Sequence, residues 1–119
     1  MDYQDILEVS DFKGHPVITI PVSYNINFAF GYAKAVTMGN HFQEIRRFVE
    51  SEGKWAGSPS VKISEYKGHP ILEIPSNKPK YPIRLGLSKA RAVIKYINEI
   101  AAFVVDNDAK YAGVQEVAA

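Results

Sequence analysis

Ser10-Asp11-Phe12-Lys13-Gly14-His15-Pro16-Val17-Ile18-Thr19-Ile20-Pro21 returns 54 residues later as Ser64-Glu65-Tyr66-Lys67-Gly68-His69-Pro70-Ile71-Leu72-Glu73-Ile74-Pro75. Seven of the twelve pairs are identical, and most of the others are conservative. The match resumes at an offset of 55, where Gly31, Lys34, Ala35, Glu44, Ile45, Phe48 and Val49 recur as Gly86, Lys89, Ala90, Glu99, Ile100, Phe103 and Val104. One residue of loop length accounts for the change. The chain is therefore an internal duplication. Two copies are too few for a solenoid, but they suit a pseudo-dimer in which each unit buries its open face against the other.

Working outward, both copies carry the same elements. Ile6–Phe12 and Val61–Tyr66 partly alternate and predict first strands. Gly14 and Gly68, each followed by His-Pro, mark tight turns that need a positive φ. Val17–Ile20 and Ile71–Ile74 are branched second strands, which Pro21 and Pro75 end or confine to an edge. Ile26–Phe30 and Tyr81–Leu85 are third strands. The period then changes. Ala90, Val93, Ile94, Ile97, Ile100, Ala101 and Val104 recur at three- and four-residue steps, as do Ala35, Met38, Phe42, Ile45, Phe48 and Val49. That spacing predicts amphipathic helices over Tyr32–Glu50 and Ser88–Asp106, with Ser88 as an N-cap. Gly39 marks either a close helix–helix approach or an ordinary weak spot.

The expected architecture is α+β: two tandem β-β-β-α repeats, with antiparallel sheets and two helices packed about a pseudo-twofold axis. Residues 1–50 form repeat one, 51–60 a linker, 61–106 repeat two and 107–119 a tail with little apolar pattern that either extends the helix briefly or is loose, all within a single domain. Trp55 in the linker reads as an apolar plug between the units.

Composition bounds the function. The chain has 119 residues and no cysteine, which excludes disulfides, thiolate catalysis and cysteine-ligated zinc. No run approaches the roughly 18 apolar residues of a membrane span. The acidic N-terminus lacks the pattern of a signal peptide, so a cytoplasmic location is expected. No nucleophile elbow, phosphate loop or zinc-binding helix motif is present, and no enzyme or cofactor is expected. His15 and His69 are related by the repeat, but two histidines without nearby carboxylates make a thin metal site. His41, at the position of Tyr96, has no evident partner.

The net charge is +1, yet it is unevenly spread. Residues 1–53 hold 4 basic and 7 acidic side chains, and residues 54–119 hold 10 and 6. Between Lys54 and Lys95, nine basic residues face only Glu65 and Glu73. Such a segment suits either phosphate binding or lysine-protected strand edges.

An apolar strand leading into Phe12-Lys13-Gly14, a polar loop, a short strand and a long helix resemble the positive-cofactor-four type of transcriptional coactivator. The tandem arrangement resembles the Whirly proteins. This resemblance covers about Ile6 to Val105 and implies single-stranded DNA binding on a curved antiparallel sheet. It implies contacts by Phe12 and Lys13, and by Tyr66 and Lys67, with His15 and His69 at a position that is basic in the family. Tyr24 matches a further family aromatic, whose place in copy two is taken by Lys78. Pro21 and Pro75 replace a family arginine, and Lys78, Lys80 and Arg84 compensate in copy two. Tyr81 and Trp55 are further stacking candidates, because single-strand binding needs exposed rings for bases and cations for the backbone. The expected partners are single-stranded DNA or RNA and further copies of the chain. Two alternatives stand beside this reading. Phe12 and Tyr66 are core residues at strand ends, or the fold serves as a protein-interaction scaffold that has lost its nucleic-acid surface.

Overall fold

In a computed structural model, residues 7–76 and 80–118 are described, with side chains as far as Tyr111. The expectations for Ile6, Lys78 and the N-terminal residues lie outside that range.

Each copy opens with a hairpin. β1 (Glu8–Phe12) pairs antiparallel with β2 (His15–Ser23), and β4 (Lys62–Tyr66) pairs with β5 (His69–Ile74). Phe12 pairs with His15 and Tyr66 with His69, leaving two-residue loops. Both loop residues have positive φ in both copies: Lys13 53° and Gly14 83°, Lys67 51° and Gly68 81°. This is the type I′ requirement, whose twist matches the strands it joins. The glycines take it at little cost, whereas the lysines carry the left-handed strain.

A third strand completes each sheet: β3 (Ile26–Gly31) beside β2, and β6 (Ile83–Leu85) beside β5. Two positions depart from expectation. β6 is shorter than predicted. β2 continues through Pro21 to Ser23, with a register shift between them, because a bulge accommodates a residue without an N–H.

The predicted helices are each broken once. α1 (Tyr32–Asn40) and α2 (Phe42–Glu50) meet at His41, and α3 (Leu87–Lys95) and α4 (Ile97–Ala118) meet at Tyr96. The break residues have nearly identical dihedrals, −109°/22° and −106°/23°. The i→i−4 bonds still pass across them, from His41 N–H to Thr37 C=O and from Tyr96 N–H to Ala92 C=O. Each break is thus a bend shared by the repeats rather than an end. Thr37 adds to it in copy one by donating to the Ala33 carbonyl. Gly39 sits exposed on α1 with open space where a Cβ would stand, so no close helix approach explains it. The first residue of α3 is Leu87, with Gly86 at the cap position, two places earlier than the expected Ser88 cap.

The helices pair across the copies: α1 with α4, and α2 with α3. α3 also lies on β2 of the other repeat. Ile18, Ile20 and Phe30 from sheet one join Leu72, Ile74, Ile83 and Leu85 from sheet two in one buried cluster. Met38, Ile45, Phe48, Val93, Ile100 and Phe103 fill it from the helices. Trp55 packs against this cluster from the linker, as a plug should.

The two repeats end differently. α2 stops at Glu50 in a Schellman motif, with Gly53 N–H bonded to Phe48 C=O and Glu52 N–H to Val49 C=O. α4 meets no such stop and runs to Ala118, so most of the expected tail is helix.

Candidate nucleic-acid interface

Strand alternation sorts the side chains of each sheet into two faces. In sheet two, Leu72, Ile74, Ile83 and Leu85 turn inward, so Lys62, Ser64, Tyr66, His69, Ile71, Glu73 and Arg84 share the outer face. In sheet one, Ile18, Ile20 and Phe30 turn inward, leaving Glu8, Ser10, Phe12, His15, Val17, Thr19 and Ala29 outside.

The hairpin tips carry the aromatic candidates. Phe12 is 63% exposed and Tyr66 62%, so neither is a core residue. In both tips the lysine ammonium stands 5.3 Å from the centroid of the preceding ring. The left-handed turn sets this up, folding each lysine back over its neighbour. Asp11 stabilises the first tip by accepting from Gly14 N–H at 3.2 Å.

Tyr24 and Tyr81 are also exposed, but at the opposite ends of their sheets. Tyr24 follows the last residue of β2, whereas Phe12 pairs with its first. Nine strand residues separate those ends by about 30 Å at roughly 3.3 Å each. Lys80 and Tyr81 lie at the start of the β6 arm, where Ser76 Oγ donates to the Tyr81 carbonyl at 2.9 Å. The expected residues therefore form an aromatic at each end of each sheet rather than one cluster.

Arg84 does not stand alone on the outer face. Lys62, Glu73 and Arg84 are direct cross-strand neighbours on β4, β5 and β6. The Glu73 carboxylate lies 3.8 Å from Lys62 Nζ and 3.4 Å from Arg84 Nε, and accepts from Ser64 Oγ at 2.8 Å. Its side chain is only 13% exposed. One carboxylate thus holds Arg84, an expected phosphate-binding cation, together with Lys62. The corresponding row in sheet one is Glu8, Thr19 and Ala29, which offers no cation.

The histidines diverge as well. His15 Nδ1 lies 3.2 Å from the Tyr111 hydroxyl, and the Tyr111 ring stacks on Tyr32 with centroids 4.5 Å apart. Tyr32 donates to Asp108 at 2.6 Å, and Lys110 donates to the Gly14 carbonyl. The extended α4 thereby fastens onto the first hairpin. Among the described residues His69 has no such cover, and it lines an open cleft. The partner expected to be missing from His41 is Glu44, whose Oε1 lies 3.6 Å from Nδ1, too far for a hydrogen bond.

Among the described residues, no group of three or more His, Asp or Glu side chains converges as a metal set. Among them also, no helix is long and apolar enough to cross a membrane. No family model matches the chain, and neither a curated protein nor a solved structure does.

Proposed function

We propose that this chain binds single-stranded nucleic acid, DNA foremost, as a non-catalytic protein whose two repeats pack about a pseudo-twofold axis. One observation carries the proposal: an exposed ring with a lysine over it, repeated at two hairpin tips in the same geometry. A base stacking on such a ring contributes about 1–3 kcal/mol whatever its identity. The lysine supplies the cation that tracks the backbone. Tyr24 and Tyr81 extend the track to the far end of each sheet, with Lys80 beside Tyr81. The resemblance to the Whirly proteins points the same way, and a role in transcription or other DNA metabolism follows from it. The helix pairs support the twofold: exchanging the copies turns α1–α4 into α3–α2, and both are present. Self-association fits the small number of helices covering each sheet.

A second reading, a protein-interaction scaffold, is favoured by Glu73 holding Lys62 and Arg84 and by the cation-poor face of sheet one.

The deciding experiment titrates a fluorescent single strand of about 30 nucleotides, with its duplex as control, at low and near-physiological salt. Preferential single-strand binding, weakening with log salt at about −0.7 per phosphate contacted, is the expected result. No binding even at low salt leaves the scaffold reading in its place.

A further inference from the structure

The two repeats supply an internal comparison. In copy one, Tyr111 lies between His15 and Tyr32. The repeat equivalents of those residues are His69 and Leu87, and both line an open cleft of about 400 Å³. That volume lies within the roughly 300–1,000 Å³ typical of small-ligand sites.

The difference arises at the helix ends. α4 continues past Val105 and carries Asp108 and Tyr111 onto copy one. Counting on at the same offset, Asp108 corresponds to Gly53. The linker turns there, with φ +84°, directly against Pro70 and Leu87. The chain then leaves, and among the described residues no side chain takes the place that Tyr111 holds in copy one. A plug of known chemistry therefore occupies one of two related positions: an aromatic ring with a polar atom beside the histidine.

The open position has its own chemistry. Pro70, Ile71 and Leu87 give it apolar walls. His69, Arg84, Ser88 and Lys89 give it a polar rim, with the Glu73 carboxylate behind it at 3.4 Å from Arg84 Nε and no carboxylate among the lining residues themselves. Arg84 stands where copy one has Ala29, and Ser88 where it has Ala33. Lys89 is held in place over the Phe28 ring, 4.8 Å from its centroid. Apolar walls where the related position in copy one holds the Tyr111 ring, beside two cations and a hydroxyl, suit an aromatic heterocycle carrying an anion.

We infer that the cleft between β5, β6 and the start of α3 is a nucleotide subsite, present in copy two alone. The base enters against Ile71 and Leu87, near His69, and the phosphate meets Arg84 and Lys89. The inference rests on the nucleic-acid reading and makes the two halves unequal in it. The same chemistry comes from one unit of a strand or from a free nucleotide.

Two measurements on the full chain test it. In the first, thymidine 5′-monophosphate is titrated against the methyl NMR signals of Ile71 and Leu87, with thymidine and inorganic phosphate as separate arms. Saturable shifts with the nucleotide, and neither ligand alone matching its affinity, are expected. Unmoved methyls, or phosphate binding as tightly as the nucleotide, overturn the subsite. In the second, Lys89→Glu is compared with Lys34→Glu, its repeat equivalent, in binding of the 30-nucleotide strand. The subsite predicts at least a tenfold loss for Lys89→Glu and no more than about threefold for Lys34→Glu, with Arg84→Gln losing affinity alongside Lys89→Glu. Equal losses reduce the effect to general charge and overturn the inference while leaving strand binding intact. Nucleotide shifts without strand binding keep the subsite and reject the strand reading.

Discussion

Phe12 and Tyr66 leave in water rings whose burial would contribute about 1.5–3 kcal/mol each. Exposure of this kind has a direct test. Tyr66→Ala is expected to change stability by less than about 0.5 kcal/mol while weakening strand binding about 5- to 150-fold, the equivalent of one lost stack. Urea melts beside fluorescence titrations measure both; a destabilised variant with unchanged affinity would assign the ring to the fold. Glu73 works in the opposite sense. Glu73→Gln releases Lys62 and Arg84, so affinity should rise by roughly fivefold at low salt, since one unit charge near a phosphate is worth about 1 kcal/mol in water. The gain should fade as salt increases. The hairpin tips were legible in the sequence because Lys-Gly between strands carries its own turn chemistry. The role of Glu73 was not. Lys62, Glu73 and Arg84 are far apart in sequence, and only the strand register brings them into one row.

At the scale of elements, the contrast lies between a helix that stops and one that does not. Glu52 occupies the C′ position of the α2 Schellman motif with φ 54°, a place glycine fills without strain. Glu52→Gly should therefore raise the urea midpoint, by about 0.5–1 kcal/mol of stability. Gly53 is the less tolerant neighbour, because a Cβ there would collide with the Pro70 ring. α4 is fastened by Tyr111, and Tyr111→Ala should cost about 1–2 kcal/mol through the lost stack and its contact with His15. Amide exchange at the Lys13–His15 turn is the local readout; protection unchanged there would show that the clasp contributes little in solution. The amphipathic stripes foretold helical residues in the right places. The bends at His41 and Tyr96 escaped notice because neither proline nor glycine marks them. A brief helical extension is one reading of the tail's sequence; its length and its hold on copy one escaped because Asp108, Lys110 and Tyr111 serve partners some 76 to 96 residues away.

For the whole molecule, the decisive fact is that neither repeat closes its own core. Phe48 and Phe103 are repeat equivalents buried in one shared cluster, and α3 lies on β2 of the other copy. A fragment of residues 1–60 should remain unfolded by circular dichroism and amide dispersion, and should fold when residues 61–119 are added in trans. Independent folding of the fragment would refute the interleaved core. The duplication was plain in the sequence, because identical turns and stripes recur at a fixed spacing. The inequality of the copies was not, since the sequence shows what repeats and leaves unstated which side chains from elsewhere come to rest on each copy.

The fastening of α4 onto the first hairpin also orders events during synthesis. The hairpin of β1 and β2 can form within about 1–10 microseconds of leaving the ribosome. The residues that clasp it, Lys110 and Tyr111, lie almost 90 residues further along, and at about 5–20 residues per second they follow roughly 4–18 seconds later. Throughout that interval Ile18, Ile20 and Phe30 lack the helices of the second copy. The nascent first half is thus the form most exposed to aggregation and to capture by chaperones, and translation speed across the second half sets how long that exposure lasts.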